Sequence, residues 1–173
     1  MDTIIENALI ERLAAGFTRT PHQLNELRES DAELIYLPGS RVVLALTTDA
    51  VVEEIEAGLY DEPYLIGWMT VMVNASDLAA VGAEPLGILL NQTLTPGLDD
   101  AFLAALQAGI RDACRHCGLA LLGGDVNFSG HLQMAATALG TVTGEPPLTR
   151  RGCRPGDRLF ASGPLGLGSA YAL

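Results

Sequence analysis

Between residues 63 and 142 the chain passes twice through the same alternation, and that alternation limits its folds more than any other feature. Pro63 stands where a first helical turn tolerates proline, and Ile66, Met69, Val73, Asp77 and Val81 follow at three- and four-residue steps until Gly82. A strand-like run over 86–93 comes next. A second helical stripe, Phe102, Leu106, Ile110, Ala113 and Cys117, is then stopped by Gly118. Residues 119–122 read as a short buried strand ending in Gly123-Gly124-Asp125, and 132–142 as a longer one. Helical and strand periods in turn imply helices laid on a sheet.

Upstream, residues 33–37 and 41–47 are two apolar runs joined by Pro38-Gly39-Ser40, which predicts a strand pair. The run from Val42 to Leu46 is apolar on both faces and reads as a central strand. Residues Ile5, Leu9, Ile10 and Leu13, ending at Gly16, predict an amphipathic helix that caps an edge or a partner. At the other end, 144–147 read as a linker and 158–161 as a last strand. The expected division is 1–148 as one domain and 149–173 as connector and beginning of another.

With 173 residues, 49% of them hydrophobic, the chain can enclose one sizeable core, and 5% aromatic content leaves aliphatic side chains to fill it. Ten basic against 21 acidic residues give a net charge of -11, which repels nucleic acid and anionic membranes. A nucleotide bound by such a chain implies a bridging metal. The first 16 residues, broken by Asp2, Glu6, Glu11 and Arg12, form neither a leader nor a membrane span, so the cytoplasm is the expected compartment. Three cysteines describe no disulfide framework, and Cys114-Arg115-His116-Cys117 lacks the second cysteine pair of a zinc site. His22 and His131 stand alone. Gly163, Gly166 and Gly168 lack the Lys-Ser/Thr ending of a phosphate loop.

Acidic residues carry the chemistry. Asp49 and Asp125 each follow a run expected to be a buried strand, and strand ends are where open sheets collect ligands. Asp77 falls on the inner stripe of its helix, where a carboxylate needs a partner that a divalent cation supplies. The hydroxyls of Thr47 and Thr48 add hard oxygen donors. Glu53, Glu54, Glu56, Asp61 and Glu62 read as a solvated helix end or loop.

The order Asp31-Ala32, Thr47-Thr48-Asp49, the run NASDLAAVGAEP from Asn74, Gly123-Gly124-Asp125, and Arg150-Arg151-Gly152-Cys153-Arg154-Pro155-Gly156-Asp157 resembles the thiamine-monophosphate kinases of the aminoimidazole-ribonucleotide (AIR) synthase superfamily. The resemblance implies an α+β fold, an AIR synthase N-terminal-like mixed sheet flanked by helices, which pairs with a second copy into a closed barrel. It implies Mg2+ held by Asp31, Asp49, Asp77 and Asp125, ATP held by Thr48, Gly123, Gly124 and Asp125, and phosphotransferase or synthetase action on a small molecule. It assigns no catalytic residue. Departures lie at Ser30, at Glu54 and Glu56, and at Val126-Asn127-Phe128, so the acceptor is left open. The alternative is a catalytically silent nucleotide- or metal-binding homologue. Strands near Val42, Leu86 and Leu132 leave one apolar sheet face over, which predicts a homodimer.

Overall fold

The structure, a computed structural model, describes residues 5–143, 146–161 and 163–165. Five strands form one mixed sheet in the order β1-β2-β5-β3-β4, where β1 is Glu33–Tyr36, β2 Val43–Ala50, β3 Glu84–Leu94, β4 Ala120–Phe128 and β5 Gln133–Val142. Neighbours run antiparallel except β3 and β4, which are parallel and joined through a helix. Such a pair needs a crossover, and α4, Asp100–Cys117, provides it.

Two 18-residue helices, α3 (Pro63–Ala80) and α4, cover one sheet face. Each begins at an acidic cap: Glu62 accepts a hydrogen bond from the Leu65 N–H at 3.2 Å, and Asp99 from the Phe102 N–H at 2.7 Å. Gly118, at φ 68°, ends α4 in the left-handed region. Between the helices the backbones nearly touch. A Cβ at Gly67 would lie 2.1 Å from the Leu106 carbonyl oxygen, and one at Gly109 would lie 2.0 Å from that of Tyr64. Beneath them Leu34, Ala45, Leu78, Ile88, Leu106 and Met134 form the fully buried core.

Helical phase on α3 differs by one position from the expected stripe. Its buried residues are Ile66, Gly67, Thr70, Val71, Asn74 and Leu78, so Asp77 sits at the margin of the buried line. On α4 the expected stripe holds: Leu106, Ile110 and Ala113 are buried and Phe102 and Cys117 pack partly buried against the core, with Cys114 buried beside them. β2 is interior, but β5 is the central strand; β2 buries Ala45 and Thr47 on one face while Leu44 and Leu46 stay half-buried on the other.

Two strand expectations need correction. Where a short buried strand is expected over 119–122, β4 instead runs on through Gly123-Gly124-Asp125 to Phe128, and every residue of it is exposed. Because α4 leans mainly on α3 and β4 is an edge strand, no described helix buries it. Residues 158–161, expected to form a last strand, form none and are exposed, since no described strand lies beside them to pair with.

Two shorter helices complete the chain. Helix α1, Ile5–Ala14, buries no residue, and α2, Val52–Glu56, carries Glu53, Glu54 and Glu56 directly after β2. Of the expected 144–147 linker, Gly144 and Glu145 lie outside the described residues, as do Gly166, Gly168 and the rest of 166–173. No described helix is long and apolar enough to cross a membrane.

Candidate functional site

Asn74 fixes the frame of the site. Its side chain, fully buried in α3, donates to the Thr70 carbonyl at 3.0 Å and accepts the backbone N–H of Asp49 at 3.0 Å. An amide buried without such partners would cost about 1–3 kcal/mol, so this pairing ties the end of β2 to one turn of α3. The tie brings Asp49 and Asp77 together. Thr47, two residues before Asp49 and thus on the same sheet face, donates its hydroxyl to the Asp77 carboxylate at 2.6 Å.

Asp77 holds its proton more tightly than an ordinary carboxyl. Burial raises its pKa most; the Thr47 hydrogen bond opposes this, the charges of Asp49 and Asp31 add to the rise, and Arg150 lowers it. Asp31, in the loop before β1, is ion-paired with the Arg150 guanidinium. It shares with Ser30, Asp77 and Arg150 a cleft of about 490 Å3 whose far wall is Glu6 and Asn7 of α1. In that cleft the Ser30 hydroxyl oxygen is buried and has no hydrogen-bond partner among the described residues.

Asp31, Asp49 and Asp77 therefore converge, while Asp125 does not join them. Strand pairing aligns Asp49 with Ala136, Leu90 and Gly124, and Ala50 with Ala135, Asn91 and Asp125. Laterally paired residues share a face, so Asp125 lies with Asn91 on the side away from the helices. Three strand spacings separate β2 from β4, or about 14 Å. There Asn127 donates to the Asp125 carboxylate at 2.7 Å. Asp49 and Asp125, expected after buried strands, lie within β2 and β4, in strands that are exposed where they carry them.

Thr48 belongs to the same open face. Its hydroxyl donates to the Ala136 carbonyl at 2.9 Å and accepts from the Thr137 hydroxyl at 3.1 Å. With Asn91, Gly124, Asp125 and Thr137 it lines a groove of about 380 Å3. Gly124 is needed there for lack of space: a Cβ would fall 2.1 Å from the Leu90 carbonyl oxygen. Gly123, at φ 149°, gives β4 its local bend. Asp31 links the two regions, because it also lines a groove of about 410 Å3 with Glu33, Leu46, Thr48 and Thr137.

Among the described residues no three His, Cys, Asp or Glu side chains gather closely enough to cage a metal by themselves. Mg2+ does not require such a cage: it is commonly held by one or two carboxylates, waters and phosphate oxygens. Hard donors on Asp31, Asp49 and Asp77, a hydroxyl on Thr47, and the unsatisfied Ser30 oxygen match that chemistry. The cysteines do not. Cys114 is buried, Cys117 lies 3.4 Å from the Met72 sulfur, and burial raises both thiol pKa values, so the thiolate that metals and oxidants need is disfavoured. His116 lies tilted against Trp68, ring centroids 5.6 Å apart, and His22 and His131 are exposed.

Sequence reasoning singled out the carboxylates but missed two residues that organise them. Asn74 carried a signal, being an amide on the line Ile66, Thr70, Asn74, Leu78 of an otherwise apolar helix. Arg150 stood in a recognised motif, but nothing local indicates that it returns to Asp31, 119 residues earlier.

Residues 29–142 match the family described as AIR synthase related protein, N-terminal domain. A thiamine-monophosphate kinase of Methanospirillum hungatei is 34% identical over 137 residues, covering 79% of this chain and 46% of that protein. The one from Caulobacter vibrioides is 34% identical over 160 residues, covering 92% and 45%. AaThiL, solved in complex with AMPPCP and TMP, superposes with a TM-score of 0.69 at 22% identity over 85% of this chain and 43% of that one, a likeness in fold. The chain spans less than half the length of these relatives.

Proposed function

The chain belongs to the AIR synthase related family through its N-terminal domain, and from that membership we propose that it is the nucleotide- and metal-binding half of an ATP-dependent kinase acting on a small molecule. The observation that carries this reading is the convergence of Asp31, Asp49 and Asp77, with Asp77 half-buried and, among the described residues, supplied by one hydroxyl donor. Three neighbouring carboxylates repel one another unless a cation shares them. Asp49 and Asp77, supported by Asp31, would hold Mg2+, which when bound neutralises phosphate charge.

The chain's own residues perform the positioning. Asn74 holds Asp49 against α3, Thr47 orients the Asp77 carboxylate, and α2 carries Glu54 and Glu56 close beyond β2, beside the acceptor's approach. Thr48, Gly123, Gly124 and Asp125 supply a second surface on the open face, suited to the nucleotide. Since about 14 Å lies between the strands of Asp49 and Asp125, we assign Asp125 to a site completed when two copies meet face to face. That meeting closes the two sheets into a barrel. It also covers Ile35, Leu44, Leu46, Leu89 and Leu139, which share the open face through their register.

Residues 1–148 form this half, and 149–173 connect to a second domain that supplies the rest of the cleft. Thiamine monophosphate is the first acceptor to test, because the similar proteins are named for it. The silent alternative draws no support from those relatives. Calorimetry on the full-length protein with Mg2+ and AMPPCP is expected to show nucleotide binding that vanishes with EDTA. Absence of binding at millimolar nucleotide would end this reading.

A further inference from the structure

We propose that Arg150 is the built-in counter-ion of the acidic cleft, and that a divalent cation entering the cleft displaces its guanidinium from Asp31. The inference rests on the reading of that cleft as a metal site. Two sets of contacts hold Arg150, and they are separable.

Main-chain bonds dock the strap that carries it. The Leu148 N–H donates to the Val81 carbonyl at 3.1 Å, just past α3, and the Arg150 N–H to the Glu29 carbonyl at 2.8 Å. Next to it Arg151 pairs with Glu29 at 3.2 Å. None of these bonds involves the Arg150 side chain, so the strap stays in place if the guanidinium moves.

The side chain makes the second set. It donates to Asp31, and more weakly to the Arg28 carbonyl at 3.4 Å, and it lines the cleft with Ser30 and Asp77. With the Arg150 side chain 57% exposed and that of Asp31 34% exposed, the pair is partly hydrated and can open without leaving a buried charge. The guanidinium engages Oδ1 of Asp31, a cation drawn to the same carboxylate would sit beside that positive charge, and two cations side by side repel. Arginine and the divalent ion are therefore alternative occupants. Because the docked strap keeps the released guanidinium beside the cleft, it is placed to meet an anionic group that the metal brings.

Isothermal titration of the full-length protein with Mg2+ alone, without nucleotide, tests the exchange. Removing a partly exposed competitor should tighten Mg2+ binding about threefold in Arg150→Gln, with Arg150→Lys in between. In an Asp31→Asn background the Arg150→Gln change should lose its effect, since the two residues act on each other. A merely structural Arg150 would give the opposite sign, as loosening the strap weakens the site. Unchanged or weaker Mg2+ binding in Arg150→Gln overturns the inference. If the parent protein takes up no Mg2+, the reading of the cleft as a metal site fails instead.

Discussion

Asp77 shows how a half-buried carboxylate lowers the stability of the fold that holds it. A carboxyl with a raised native pKa binds its proton more tightly in the folded chain than in the unfolded one. Metal-free stability therefore falls as pH rises from the ordinary carboxyl value through the native one, and the penalty is fully present above it. Asp77→Asn removes the penalty while leaving an oxygen that can accept from Thr47. Above that window the metal-free variant should melt higher than the parent, and the gap should close as pH is lowered into it. Added Mg2+ should stabilise the parent and not the variant. Scanning calorimetry in EDTA and in Mg2+ checks this; a lower melting temperature for the variant at neutral pH would show that the carboxylate is a structural group.

At the scale of elements, the contact between α3 and α4 depends on two glycines whose value lies in what they lack. Each lets the facing helix bring a carbonyl to where a Cβ would stand, so Gly109→Ala forces the helices apart along their whole contact. Overpacking of this kind should cost about 3 kcal/mol, read as a lowered urea midpoint at unchanged slope. Gly118→Ala, strained by its left-handed φ but with open space around it, should cost only about 1 kcal/mol. Equal losses at the two positions would mean that backbone strain, not close approach, makes Gly109 necessary. The comparison bears on the site, because Asn74 and Asp77 ride on the helix that Gly67 and Gly109 seat.

For the whole molecule, the question is what covers the open face of the sheet. Leu89 is 40% exposed there, and at the sheet margin Val126 and Phe128, on the helix side of β4, are 53% and 71% exposed because neither long helix buries that strand. Exposed apolar area of this extent marks an interface, and a stable one should bury more than about 1,000 Å2 in total. A full-length dimer is thus expected by light scattering at micromolar concentration, and Leu89→Arg should dissociate it without unfolding, as judged by far-UV circular dichroism. A monomeric parent would refute the barrel. Should the variant stay dimeric, the copies meet through some other surface.

Much of this architecture follows from the sequence because it is encoded by neighbours. Three- and four-residue spacing, Pro63 at a helix start, Gly118 at a helix end and Pro38-Gly39-Ser40 between strands are local signals, and the chain obeys each of them. The acidic residues were legible for the same reason, each standing in a short motif. What the sequence could not determine was which of them meet. Strand order and register are long-range choices: inserting β5 and β3 between β2 and β4 sets Asp125 about 14 Å from the strand of Asp49, and the pairing register turns it to the other face. Helical phase was also decided in three dimensions, since packing against α4 through Gly67 rotates α3 by one position and sends Asn74, not Asp77, into the core. Burial of β4 was misjudged because apolar composition records that a strand must be covered, without saying by which chain. Arg150 reaches Asp31 only because the fold returns the segment after β5 to the loop before β1, and a contact across 119 residues leaves no periodicity to read.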